Sequence, residues 1–229
     1  MGKGLMPRML SGLCAATATL VLLMVGVADA STTLGSTSIP SGGSGNDCNP
    51  GAVFDQATSD PATPFTTPGA GTLTQWQVNT IDAAPNTPLT FVVLKAGSGS
   101  ATVAGVDSRT LPSPLPPGDN VVTFTLPTPI AVTGGETLGL YTDSSTVYCE
   151  WSGGSLPPAD TLAAHLAPTP PAAGQSLPFY KQSGAGYRMN LAATFEPPAP
   201  IIKKKCKKHK KKRSAESAKK KCKKKKKKG

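Results

Sequence analysis

Across residues 31–202 helical periodicity is almost absent. Short runs alternate instead, cut by Gly and Pro, which number 24 and 23 in the whole chain. Punctuation at this density prevents long helices, because Pro lacks an amide donor and Gly carries a large backbone entropy. It suits many short strands joined by turns. In residues 121–126, Val122, Phe124 and Leu126 share one face against Thr123 and Thr125. Residues 136–142 align Leu138 and Leu140 behind a Gly134-Gly135 turn. Residues 146–151 turn Val147, Cys149 and Trp151 inward and leave Tyr148 and Glu150 outward. Residues 188–196 set Met189, Leu191, Ala193 and Phe195 against Arg188, Asn190 and Thr194. One-sided strands of this kind belong to antiparallel sheets packed over one inner face. Residues 89–94 (LTFVVL) are nearly all apolar and suit a central strand; residues 72–78, with Trp76 and Val78 on one face, make the first long one. Residues 102–106 are a weaker candidate. The expected class is all-β, a single antiparallel β-sandwich of jelly-roll or immunoglobulin-like topology with roughly seven to nine strands.

The ends of the chain carry different instructions. Lys3 and Arg8, the apolar residues 9–27 and the small-x-small site Ala28-Asp29-Ala30 compose a secretory signal over residues 1–30. An uncleaved anchor is the alternative, since the apolar stretch approaches the shortest spanning length; Ser11, Gly12, Thr17 and Thr19 favour cleavage. Residues 31–47, rich in Ser, Gly and Thr, are expected to be flexible. The sandwich domain takes residues 48–196, and a Pro-rich spacer (Pro197, Pro198, Pro200) takes residues 197–202. Inside the domain, residues 112–118 must be a surface loop. Residues 153–186 read as a long irregular insert in which residues 159–166 form a helical turn or two. Export places the remaining cysteines in an oxidising space, where four of them allow three full pairings. Pairing within each part, Cys48 with Cys149 and Cys206 with Cys222, is the simplest. The first would close a loop of about 100 residues, for which chain entropy gives about 4.7 kcal/mol, realised only in part.

Charge is divided as sharply as pattern. Residues 203–229 hold 17 Lys, one Arg and one Glu, a net of +17. Residues 31–202 hold four bases and 11 acids, a net of −7. Like charges at the density of the tail repel, so residues 203–229 are expected to be extended and disordered. Their partner is an anionic polymer or surface: a cell-wall polymer, an acidic polysaccharide, an anionic lipid or extracellular DNA. The polyanion-binding set is Lys203, Lys204, Lys205, Lys207, Lys208, Lys210, Lys211, Lys212 and Arg213, then Lys219, Lys220, Lys221, Lys223 and Lys224. A metal site on Cys206, His209 and Cys222 is disfavoured, because the lysines repel a cation and a fourth ligand is missing. A low-complexity tail that merely raises solubility is the bland alternative.

Catalytic signals are poor. The body holds one histidine, His165, which falls in the irregular insert and reads as a solvated loop residue. No G-x-S-x-G elbow accompanies it. Glu136 with Glu150 would suit glycoside cleavage only if the fold converged them. Asp47, Asp55, Asp60, Asp107 and Asp119 lie in loop-like stretches without an ordered calcium-loop pattern. No metal, cofactor or catalytic residue is assigned. Tyr141, Tyr148, Tyr180 and Tyr187 are possible glycan contacts, weighed against the use of aromatics in the core.

Three stretches carry a resemblance: GTLTQWQV at residues 71–78, AVTGGETLGLYT at residues 131–142 ahead of the cysteine strand, and NLAATFEP at residues 190–197 leading into the Lys/Cys tail. With the export signal, the chain resembles a loosely related set of secreted β-sandwich proteins of high-GC actinobacterial-type bacteria, whose members often end in lysine-cysteine tails or calcium-type repeats. The resemblance implies fold and location, and neither an activity nor site residues. The expected function is that of an exported, non-catalytic cell-envelope or matrix protein tethered by its tail. The alternatives are a secreted carbohydrate-binding module and, with less support, an exported hydrolase.

Overall fold

The structure is a computed structural model that describes residues 30–117 and 120–199. The signal segment through residue 29 and the whole polyanion-binding set lie outside the described residues, as do Cys206 and Cys222. The described chain contains strands and turns only, and every strand pairing is antiparallel. The all-β antiparallel class is therefore what forms.

A single sandwich is not the architecture. Six strands close into a barrel: β3 (Ala52–Thr58), β5 (Pro88–Ala96), β6 (Ser100–Thr110), β8 (Glu136–Tyr141), β10 (Thr161–Leu166) and β11 (Ser176–Gln182). Their order round the wall is β10-β11-β6-β5-β8-β3, and β3 returns to β10. A four-stranded sheet runs β1-β13-β4-β7, from β1 (Thr32–Ser36), β4 (Gly71–Asn79), β7 (Val121–Val132) and β13 (Leu191–Glu196). A three-stranded sheet joins β2 (Gly43–Asp47), β9 (Tyr148–Gly153) and β12 (Tyr187–Met189) in the order β12-β9-β2.

Two apolar clusters follow from this arrangement, and β5 belongs to both. Leu89, Phe91 and Val93 join the larger cluster with Leu138, Leu140, Trp76, Val122, Leu191 and Phe195. That cluster unites the four-stranded sheet with one side of the barrel wall. Val92 and Leu94 point the other way and join Val53, Ala101, Val103, Tyr141, Ala167 and Leu177. A strand buried on both faces must be apolar at successive positions, which is why LTFVVL lacks alternation. Trp76 anchors the larger cluster, stacked on Phe91 at 5.6 Å and tilted on Phe124 at 4.4 Å. Its indole N–H donates to Asp107 at 2.7 Å, so burial leaves no polar atom of that ring unpaired.

Four further expectations are corrected. Residues 31–47 are not a flexible strap: β1 pairs with β13, β2 pairs with β9, and Leu34 is fully buried. The insert over residues 153–186 is not irregular, because it supplies β10 and β11 to the barrel. Within it, residues 159–166 make no helical turn. Ala and Leu favour a helix locally, but β10 pairs on both sides and its side chains are buried on both faces, and that burial overrides propensity. Asn190, assigned outward, is fully buried; its amide donates to the carbonyls of Asn79 and Tyr148 and accepts from Asn79 N–H. Cys48 and Cys149 form the disulfide expected of them, with Cα atoms 4.7 Å apart.

The β7–β8 turn is held by a buried carboxylate. Gly134 and Gly135 take positive φ values of 106° and 85°, and a Cβ on Gly134 would meet the Gly69 backbone at 2.9 Å. The Glu136 carboxylate accepts hydrogen bonds from Thr133 N–H, Thr133 Oγ1, Gly134 N–H and Thr67 Oγ1, at 2.5–3.0 Å. Burial by itself raises the pKa of this group, but the hydrogen bonds from Thr133 and Thr67 outweigh it and lower the value from 4.5 to about 2. A carboxyl depressed in the folded state stabilises fully above its unfolded value. That contribution, roughly 3 kcal/mol, is lost as pH falls from 4.5 towards 2. Unfolding of Glu136→Gln against the native protein should show the largest stability gap at neutral pH, closing across that window. Parallel profiles from pH 7 to pH 2 would show that Glu136 holds nothing.

Candidate functional site at one mouth of the barrel

A barrel this narrow is normally filled by its own side chains. One half of this lumen is filled, by Val53, Val92, Leu94, Val103, Tyr141 and Leu177. Towards the β5–β6 turn the lining residues shrink to Ala96, Gly97, Gly99, Ala101 and Ala163, and a recess of about 220 Å³ opens. All six barrel strands or their ends contribute to its wall, with Asp55 and Ala57 from β3, Thr137 from β8, His165 from β10 and Phe179 from β11.

The floor holds a polar trio, of which Asp55 and His165 are buried and Thr137 is half-buried. Asp55 and His165 are 5% and 6% exposed. In the β3–β10 register Asp55 lies opposite Ala163 and His165 opposite Val53, so the two are diagonal neighbours on one face. His165 Nε2 stands 3.1 Å from Asp55 Oδ1, and Thr137 Oγ1 donates to Asp55 Oδ2 at 2.9 Å. Both carboxylate oxygens are thereby engaged. His165 Nδ1 is buried without a hydrogen-bond partner. The Phe179 ring, 46% exposed, meets the imidazole edge-on with centroids 6.0 Å apart. His165 is thus a buried strand residue with a carboxylate partner, and the solvated loop histidine expected from sequence is wrong. A single histidine in a proline-rich stretch gave no signal for this, because its partner lies 110 residues away.

The four tyrosines do not converge. Tyr141 is 3% exposed and packs in the lumen, so it offers no stacking surface. Tyr148 Oη donates to Asp82, Tyr187 packs against the larger core cluster, and Tyr180 is exposed. Tyr187 also lines a second recess of about 220 Å³ with Glu150, Leu162, Lys181 and Ser183. Burial raises the Glu150 pKa, partly offset by Lys181 and Asn46. Glu136 and Glu150 sit on different sheets, the former spent on its turn, and do not form an acid–base pair. Of the aspartates weighed for calcium, Asp55 faces His165, Asp107 binds Trp76 and Arg109, and Asp119 lies outside the described residues. Among the described residues no three His, Cys, Asp or Glu side chains gather at one point.

Removing Asp55 would leave His165 Nε2 without its buried partner and Thr137 Oγ1 with only the Leu94 carbonyl at 3.5 Å, at a cost of about 1–3 kcal/mol. Asp55→Ala should lower stability in urea by that amount, and Thr137→Val by less. An Asp55→Ala protein as stable as the native one would contradict the trio. No family model, curated protein or solved structure matches this chain.

Proposed function

We propose that this is an exported, non-catalytic protein of the cell envelope or extracellular matrix. Its acidic barrel domain is displayed, and its basic C-terminal segment binds anionic polymers or surfaces. The partition of charge carries the proposal: +17 over residues 203–229 against −7 over residues 31–202. Contacts within the body add support. Of its four bases, Arg109 pairs with Asp107 at 2.9 Å and Arg188 with the buried Asp160 at 2.7 Å. Lys95 and Lys181 are exposed and lie on different strands. The body therefore lacks a dense cationic surface, and polyanion affinity falls to the tail. The Cys48–Cys149 disulfide fits an oxidising compartment.

A carbohydrate-binding module has less support. Its tyrosines point to separate places, and Tyr141 is inaccessible. A hydrolase has less support still: the hydroxyl at the Asp55–His165 pair, Thr137 Oγ1, donates to the carboxylate and not to the imidazole, and among the described residues no second acid joins the pair.

Deleting residues 203–229 should release the protein from the envelope fraction into the medium. On duplex DNA as a test polyanion, six engaged contacts would give a log–log salt slope near −5, from about −0.9 per contact. No base preference should appear, because flexible lysines have no scaffold aiming them at base edges. Unchanged fractionation, a flat salt response or equal binding by the tail-less body would overturn the proposal.

A further inference from the structure

The recess lined by Tyr187 is separate from the barrel mouth and from the basic tail, and it holds two opposite charges that do not meet. We propose that it binds a small α-amino acid, whose ammonium sits on Glu150 and whose carboxylate sits on Lys181.

Strand register places the two charges on facing walls. Glu150 on β9 lies opposite Met189 of β12 and Asn46 of β2, and directly opposed residues share a face. Met189 is fully buried in the larger cluster with Leu162 and Ala164 of the barrel, so this face of the sheet meets the barrel. Across from it, Phe54 of β3, Ala164 of β10 and Lys181 of β11 form one row on the outer side of the barrel wall. Phe54 and Ala164 are buried in the larger cluster, and Lys181 carries the row out to an exposed edge. Its Nζ lies 5.8 Å from the Phe54 ring centroid, so the ammonium leans back over the floor. Both charged residues line the space of about 220 Å³ between these walls, together with Gln182, Ser183 and Tyr187.

Charge and hydrogen bonding select the ligand. Glu150 is half-buried, and among the described residues neither it nor Lys181 makes an ion pair. Burial raises the Glu150 pKa, and Lys181 and Asn46 offset this only in part. A carboxylate partly removed from water gains more from a nearby cation than an exposed one does. An amine without a carboxylate would be repelled by Lys181, and a carboxylate without an amine by Glu150. One molecule carrying both charges a few atoms apart satisfies both walls. A sugar finds little here, because Ser183 Oγ is spent on the backbone of Leu162 and the Gln182 amide donates to Thr161. Drug-sized ligands occupy pockets of roughly 300–1,000 Å³, and this recess is smaller. Its size suits a single amino acid.

Alanine is the probe, and amide spectra of the full mature chain, followed at Gly184 and Tyr187, are the readout. Alanine should shift both resonances saturably, with half-saturation below about 10 mM. Ethylamine and propionate, which each keep one of the two charges, should bind about tenfold more weakly. Glu150→Gln should weaken alanine about tenfold, because it removes the half-buried charge. Lys181→Gln, at an exposed position where folding is not at stake, should weaken it about threefold. The proposal is overturned by any of four results: no saturable response to alanine, equal affinity for ethylamine or propionate, tighter binding of glucose, or unchanged affinity in Lys181→Gln.

Discussion

Closure of β3 against β10 is the constraint on which the rest of the molecule depends. The two strands are over 100 residues apart in sequence, yet their pairing runs from Ala52 opposite Leu166 to Thr58 opposite Thr161. Without it the six-stranded sheet would have two free edges and no lumen. With it, the wall encloses one apolar cluster and presents its other face to a second. Asp55 and His165 become neighbours only because this seam is in register. A slip by one residue would turn one strand over relative to the other, so that Asp55 and His165 would point to opposite faces and lose one another as partners.

Buried polar side chains reinforce the seam. Gln56, fully buried on β3, shares its two amide protons among the carbonyls of Thr58, Thr161 and Tyr187 and accepts from Met189 N–H. It ties the barrel to β12 and so to the three-stranded sheet. Asp160, just ahead of β10, accepts from Asp60 N–H and from Arg188. Each group is satisfied several times over, the condition under which buried polarity specifies a fold. His165 Nδ1 breaks that rule at the barrel mouth, and Trp151 Nε1 is the other buried side-chain atom without a partner among the described residues.

Strands facing one core were legible in the sequence, because their alternation marks the buried face. Val147, Cys149 and Trp151 are buried as their pattern implies, and so are Met189, Leu191, Ala193 and Phe195. Illegible strands were those buried on both faces or poor in large apolar residues. In β10, TLAAHL has Leu162 and Ala164 facing one cluster and Ala163 and His165 facing the lumen, so no period of two survives. In β2, GSGND holds its place by pairing with β9, and little apolar surface announces it. The site was hidden for the same reason. Its polar pair is made by long-range register, which a single sequence does not display.

Cross-strand nuclear Overhauser contacts between β3 and β10 test this account most directly. Closure predicts contacts pairing Asp55 with Ala163 and Val53 with His165, as strong as those between β5 and β6. If the β5–β6 and β4–β13 contacts are present while those across β3 and β10 are missing, the barrel is open. The lumen, and the recess built from it, would then not exist.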